Sequence, residues 1–305
     1  MGRYRRPVAP SLFAALGLSL RGLTRSPWLV AVGMAAALLG RALTWPAFAV
    51  GGALLSQAAA LAARGRPLDP GAPVEGALLA AGSPAFLYLV GGLLLCGLLA
   101  RGLLRVAWLA GALPQLGGAM SGEPAPRFAA GAAFGFARLL PTAALGFAMD
   151  VGGAGFGLGL ALSALRVAGR AADQGGSVAL AGATAFALVL ALLVPLALSV
   201  LADAAVARAA LRGDGPLASF GGATRRFLGR PGTFVLASLG FGVAGFIGSA
   251  AIESMGQVIS SFAPGVSPLV LAGPALMVAA AAALVTAAVD LGWLGTVAAL
   301  SCARS

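Results

Sequence analysis

Six stretches of the chain are apolar for long enough to cross a bilayer: 27–62, 82–110, 141–165, 178–210, 232–259 and 268–300. Each has the ~20 residues that a helix needs to span roughly 30 Å of hydrocarbon. Several are longer, which predicts tilt, kinks or protrusion. Pro46 and Pro195 lie inside two of them, where each removes an amide donor and marks a kink point. No strand pattern competes with this periodicity, so the chain reads as an all-α, polytopic membrane helical bundle. Three connections are short and carry turn residues: 63–81 (Pro67, Pro70, Gly71, Pro73), 166–177 (Gly175, Gly176) and 260–267 (Pro264, Gly265). These read as hairpin tips.

The other three connections, 8–26, 111–140 and 211–231, are longer and hold amphipathic stretches that resemble one another. Residues 11–27 read SLFAALGLSLRGLTRSP, 127–141 read RFAAGAAFGFARLLP, and 219–231 read SFGGATRRFLGRP. Each has an early Phe (Phe13, Phe128, Phe220), a basic patch and a closing Pro (Pro27, Pro141, Pro231). Arg21 and Arg225 both fall six residues before that Pro. Proline fits the first turn of the helix that follows, where its missing amide costs nothing. Arg21 with Arg25, and Arg226 with Arg230, are four apart and share a helix face. The pattern predicts helices lying among lipid headgroups, with Phe and Leu toward acyl chains and arginine at phosphate. A plain connecting helix or loop is the blander alternative. The expected architecture is one membrane domain over 1–305: six transmembrane helices in three hairpins, each preceded by a cytoplasmic amphipathic helix. Its repeats would be 8–110, 125–212 and 216–302.

Composition sharpens this reading. The chain of 305 residues is 60% hydrophobic and 10% charged, with mean hydropathy +0.97. Soluble domains are about 25% charged. Disorder, a nucleic-acid-binding domain and an ordinary cytosolic enzyme are thereby excluded. All 20 basic side chains are Arg, and Lys, His and Asn are absent. That bias is expected of a GC-rich bacterial genome, so the net charge of +11 reports membrane topology rather than nucleic-acid binding. Fifteen arginines fall on the side of the termini and the amphipathic connectors, and four (Arg64, Arg66, Arg166, Arg170) fall at the tips. The positive-inside rule then places both termini and the amphipathic helices in the cytoplasm, and the protein in the inner membrane. Arg3, Arg5 and Arg6 precede an apolar stretch, but Arg21 and Arg25 interrupt it, so no cleaved signal is expected. Arg6 stands where myristoylation needs Ser or Thr.

Candidate chemistry is sparse. Without His there is no Ser-His-Asp triad, Cys-His dyad or HExxH zinc site. Cys96 and Cys302 have no metal-ligand neighbours and read as buried thiols. The GxGxxG at 240–245 lies in an apolar helix, as does the glycine run of 152–159, so both read as helix-packing surfaces. No P-loop, CxxC or EF-hand pattern occurs. The chain is therefore read as a non-enzyme with no cofactor or metal. Trp28, Trp108 and Trp293 fall near predicted cytoplasmic ends of spans, where an interfacial belt is preferred over a binding box.

Charges inside the spans are the remaining candidates. Arg41 falls near the bilayer centre, Asp150 lies nine residues after Pro141, and Glu253 lies toward the outer end of the fifth span. Aligning LLARGLLRVAWL, VLADAAVARAAL and AAVDLGWLGTVA puts Arg101, Asp203 and Asp290 at equivalent places. A charge at mid-bilayer costs about 2.5–3.5 kcal/mol on insertion scales, so such residues face the bundle interior and pair. Ion pairing among Arg41, Arg101, Asp150, Asp203 and Asp290 that fixes helix packing is the favoured reading. A proton or ion pathway, or a site for a charged headgroup, is the alternative.

The amphipathic segments that end at Pro27 and Pro231 resemble those of uncharacterised bacterial six-span membrane proteins. These include the membrane domain found beside some glycerophosphodiester phosphodiesterases, and similar families of unknown function. The resemblance implies a six-span fold over most of the chain and no catalytic residue, because the phosphodiesterase chemistry belongs to a separate soluble domain. Two functions are expected. The first is a non-catalytic structural or interaction subunit whose Arg21, Arg25, Arg127, Arg138, Arg225, Arg226 and Arg230 contact lipid or a protein partner at the cytoplasmic face. The second is a transporter or channel for a small solute or lipid that uses Arg41, Asp150, Asp203 and Asp290.

Overall fold

A computed structural model describes residues 10–66, 69, 71–172, 178–261 and 268–302. Arg3, Arg5, Arg6 and Arg304 lie outside the described residues, as do Pro67 and Pro70 of the 63–81 tip, 173–177 of the 166–177 tip, 262–267 of the 260–267 tip, and the side chains of Arg170 and Glu253. Among the described residues the chain is all-α. Nine helices follow in order: α1 (Leu12–Arg25), α2 (Trp28–Gly65), α3 (Ala72–Ala81), α4 (Pro84–Ser121), α5 (Phe128–Ala172), α6 (Val178–Arg212), α7 (Pro216–Gly229), α8 (Pro231–Ser261) and α9 (Pro268–Cys302). Alanine and leucine carry the long helices at little propensity cost, and prolines sit at the first position of α4, α7, α8 and α9.

Six helices (α2, α4, α5, α6, α8, α9) are long and apolar enough to cross a membrane. Only 6% of the most apolar window of α4 is buried against protein, so its apolar surface needs lipid to cover it. The chain is a multi-pass helical membrane protein.

Two compact units divide the chain, one of Met1–Gly33 with Val106–Ser305, the other of Met34–Arg105. In the Met34–Arg105 unit, α2 and α4 run antiparallel: Gly40 lies beside Arg101, Gly51 beside Val90, and Gly97 faces the Leu43 carbonyl. The expected 63–81 tip contains α3. Pro73 and Glu75 in its first turn favour a helix start, and Gly76 packs on Ala58 and Ala62 of α2. Arg66 bridges to Glu75 at 2.7 Å, with both side chains largely exposed. Such a pair adds about 0–1 kcal/mol.

In the larger unit, α5 and α6 pair antiparallel, with Gly146 against Ala202, Gly153 against Leu198 and Gly157 against the Ala191 carbonyl. A Cβ at Gly157 would stand 2.5 Å from that oxygen, so this approach requires glycine. α8 and α9 form a second hairpin through Gly248–Val285 and Gly256–Val278. Of the GxGxxG glycines, Gly240 and Gly242 face open space and only Gly245 makes a neighbouring contact, with Val289. That motif is thus mostly not a packing surface. α6 and α9 run parallel, since Asp203, Arg208 and Arg212 meet Trp293, Ser301 and Cys302 in the same order.

The amphipathic connectors divide into two kinds. α1 and α7 are separate 14-residue helices that stop before Pro27 and Pro231, as expected. The middle one is fused: α5 runs from Phe128 through Pro141 without a break. Its first turns press Gly131 and Gly135 onto the Ala110 backbone and Phe128 onto Gly111 of α4. That packing holds the helix in line past a proline, whose lost hydrogen bond a membrane helix tolerates. α4 likewise extends through the segment expected to be a connector, as far as Ser121.

Candidate functional site: an arginine-lined cavity

α7 owes its place to two small residues one turn apart. Ser219 and Ala223 are fully buried, and Ala223 packs with Ala204, Ala205 and Ala207 of α6 and Val297 and Ala298 of α9. Small side chains let the helix lie close on the bundle, so its other faces carry the long ones. Phe227 leans on Phe234 at 5.9 Å between ring centres, which fixes the corner from α7 into α8.

Beside this corner is a cavity of about 560 Å³ lined by Arg208, Arg212, Arg225, Arg226 and Arg230, together with Gly222, Gly229, Phe234 and Leu300. The arginines come from three places. Arg208 and Arg212 stand one turn apart near the end of α6. Arg225 and Arg226 project from α7, and Arg230 is its C-cap.

Arg208 organises the floor. It is 9% exposed, donates from Nη1 to the Ser301 carbonyl at 3.1 Å, and from Nη2 to Asp214 Oδ2 at 3.0 Å. Its Nε is buried without a hydrogen-bond partner among the described residues. Arg212 donates to the Cys302 carbonyl at 2.9 Å. The two guanidinium groups thus cap the last turn of α9, where carbonyls lack helical partners and the helix dipole is negative. Gly222 lies directly above them, where a Cβ would displace the Arg208 guanidinium from its present position. On the rim, Arg225 is exposed, Arg226 is half-buried, and Arg230 donates to the Pro10 carbonyl at 3.3 Å.

Of the other connector arginines, Arg21 is exposed and Arg25 donates to the Ala119 carbonyl at 3.0 Å. Arg127 is exposed at the start of α5. Arg138 lies over Gly213 and lines a separate cavity of about 240 Å³. Gly213 and Gly122 have φ of +74° and +79° and directly follow α6 and α4, a left-handed stop that glycine adopts without strain.

Among the span charges, Asp203 accepts a hydrogen bond from Trp293 Nε1 at 2.6 Å. Asp290 lines a cavity of about 350 Å³ with Ser238, Ser249, Thr286 and Trp293. Asp150 is half-buried in α5. Arg41 and Arg101 belong to the Met34–Arg105 unit, where both are exposed and Arg101 lies along Gly40. Asp203 lies nine residues before the end of α6, whereas Arg101 lies twenty before the end of α4, so the two differ in distance from their helix ends.

Two expectations change. Trp108 is buried and Trp293 half-buried on Asp203, so they serve packing rather than an interfacial belt, while Trp28 is exposed and edge-on to Phe128. Cys96 is exposed, because its side of α4 is not covered by protein, and Cys302 is half-buried. Sequence reasoning counted Arg208 and Arg212 only toward topology. Their arrangement with α9 depends on the parallel pairing of α6 and α9, which spacing does not encode.

Fold and site together define a polytopic helical membrane protein with a basic cavity at the ends of its spans. No protein-family model, curated protein or solved structure matches the chain.

Proposed function

We propose that the protein is a non-catalytic, multi-pass inner-membrane protein whose arginine-bearing corners engage anionic lipid headgroups at the cytoplasmic face. One observation carries this reading. α1 and α7 each dock through small residues, and each leaves large apolar side chains exposed beside arginine: Phe13 and Leu20 with Arg21, and Leu217 and Leu228 with Arg225. Exposed Phe and Leu flanked by guanidinium are suited to the boundary between acyl chains and phosphate. The positive-inside bias supports the cytoplasmic side. The test is fluorophore-labelled Phe13→Cys and Leu217→Cys protein in nanodiscs containing phosphatidylglycerol, with lipids brominated at different depths. Quenching should be strongest at the shallow position and should weaken in Arg21→Glu and Arg225→Glu variants. Labels that behave as in water, or that ignore charge reversal, contradict the reading.

The Asp290 cavity favours a second reading, a transporter or channel. Asp290 is joined there by three hydroxyl side chains, with Asp203 held by Trp293 one helix away. In this reading Asp150, within the same unit, extends the intramembrane path. Proteoliposome flux abolished by Asp290→Ala would support it; flux indifferent to Asp290→Ala and Asp150→Ala would remove it.

A further inference from the structure

In the Met34–Arg105 unit, two arginines stand deep in the spans without an answering charge. Arg41 is the one charged residue of α2 between Trp28 and Ala63, and Arg101 and Arg105 are the charged residues of α4. Arg41 stands 13 residues after the first residue of α2 and 24 before the last; Arg101 stands 17 after the first residue of α4 and 20 before the last. At about 1.5 Å per residue, each is about 20 Å or more from both ends of its helix. The two share one level of the hairpin, because the Arg101 side chain crosses Gly40, next to Arg41. Both side chains are exposed, and neither guanidinium has a hydrogen bond or ion pair among the described residues. Arg105, one turn beyond Arg101, already has an interaction and adds nothing to this deficit. Trp45 and Phe48, one and two turns along the face of α2 that bears Arg41, are exposed too, as is Leu98 one turn before Arg101. The two charges thus stand in surface suited to hydrocarbon, where a charge is costly unless it is paired.

Charge and depth restrict what can answer them. Arginine keeps its proton when desolvated, so it cannot escape by becoming neutral. The unit's own carboxylates, Asp69 and Glu75, lie beyond the far end of α2, where Asp69 accepts from the Gly71 amide and Glu75 pairs with Arg66. The span carboxylates Asp150, Asp203 and Asp290 already have interactions. A second copy brought to this face by two-fold symmetry would set arginine against arginine. Lipid phosphate lies at the membrane surface, whereas Arg101 is about halfway along its helix. A carboxylate held at mid-depth by another spanning helix meets every condition: it matches the forked donors of arginine, and no salt screens the attraction in hydrocarbon.

We propose that the α2–α4 hairpin is a docking surface for a partner membrane protein, one of whose spanning helices carries an aspartate or glutamate at mid-bilayer that Arg41 and Arg101 share. Trp45, Phe48 and Leu98 supply the apolar contact around the ion pair.

The experiment uses the full chain in phosphatidylcholine vesicles and measures energy transfer to labelled synthetic spanning helices of leucine and alanine. The helices differ in one central residue, which is Glu, Gln, Leu or Lys. The wild type should bind the Glu helix roughly tenfold more tightly than the Leu helix, the scale of a good polar contact between membrane helices. The Lys helix should bind no better than the Leu helix, and the Gln helix should fall between Leu and Glu. Arg41→Leu with Arg101→Leu should remove the preference while the melting temperature stays at or above that of the wild type, since leucine suits an exposed apolar face. Arg41→Lys with Arg101→Lys should keep part of it, and Arg21→Gln should leave it unchanged. Equal binding of the Glu and Leu helices by the wild type overturns the proposal, a result that needs no variant to fold. Full preference in the Leu pair overturns it as well. A preference abolished by adding phosphatidylglycerol assigns the arginines to lipid phosphate and overturns the partner assignment. A preference that appears only in Asp150→Asn or Asp290→Asn protein assigns them to the chain's own carboxylates, with the same consequence. Depth quenching at Phe13→Cys and Leu217→Cys tests a different surface, so this inference and the headgroup reading can fail separately.

Discussion

α1 and α7 are the same device with different contents. Both are 14 residues long. Their N-caps, Ser11 and Gly215, share an extended backbone (φ −64°, ψ 164° and φ −65°, ψ 167°). Their C-caps, Ser26 and Arg230, share another unusual one (φ −134°, ψ 59° and φ −153°, ψ 57°), and each is followed by Pro and a spanning helix. Laid cap on cap, the buried Ala15 and Ser19 of α1 fall on the buried Ser219 and Ala223 of α7, and Arg21 falls on Arg225. One turn later they diverge. α1 has Gly22, packed against Leu116 and Met120 of α4, whereas α7 has Arg226, which lines the cavity. One corner is closed by packing and the other is open and basic. Docking is therefore a property of the shared small-residue face, and whether a basic cavity opens beside it is set by a few neighbouring positions.

Exchanging those positions should produce the largest effect. In Gly22→Arg, even the first side-chain carbon would stand 2.8 Å from Leu116 Cδ1. The charge would also enter a packed contact. The loss of stability should reach about 3 kcal/mol or more, read from denaturation in micelles. The reciprocal Arg226→Gly should cost less, about 1 kcal/mol of helix propensity together with the contacts of its half-buried side chain. Similar losses for the two would mean that the corners do not differ as described.

A smaller effect is expected at Gly222, which has no counterpart pressed against a guanidinium in α1. Gly222→Ala should drive Arg208 from Ser301 and Asp214 and lower stability by about 1–3 kcal/mol. A wild-type melting temperature would show that Arg208 does not fill that space. The smallest concerns Ser19, whose hydroxyl donates to the Gly292 carbonyl at 2.8 Å. Ser19→Ala gives α1 the residue that α7 has at Ala223. Thr296 also donates to that carbonyl, so the cost should be about 1 kcal/mol or less. A loss of several kcal/mol would mean that α1 docks through this hydrogen bond rather than through its small-residue face.

The spans were legible because bilayer length and apolar composition leave little freedom, and the corners at Pro27 and Pro231 because proline marks the first turn of a following helix. Pro141 misled for the same reason. Whether a helix stops at proline depends on what holds the preceding turns, and here Gly131 and Gly135 on α4 hold them. The prolines and glycines of 67–73 masked α3, although Pro73 and Glu75 are helix-start residues. Gly122 and Gly213 stood in the sequence as stop signals, each followed by an acidic residue and then, within two residues of it, by proline. The rim of the cavity, Arg225, Arg226 and Arg230, was visible as a basic patch. Its floor was not, because Arg208 and Arg212 look like any arginines near the end of a span until α9 lies parallel to α6.

The account turns on α1 and α7 sharing the cytoplasmic surface, and residue-by-residue thiol labelling tests this directly. With Cys96 and Cys302 replaced by alanine, Phe13→Cys, Leu217→Cys and Ser261→Cys proteins would each meet a membrane-impermeant maleimide in spheroplasts and in inverted vesicles. The account predicts that Phe13→Cys and Leu217→Cys react only in inverted vesicles and Ser261→Cys, at the far end of α8, only in spheroplasts. Reaction of Phe13→Cys and Leu217→Cys from opposite sides, or of either from the same side as Ser261→Cys, would contradict it.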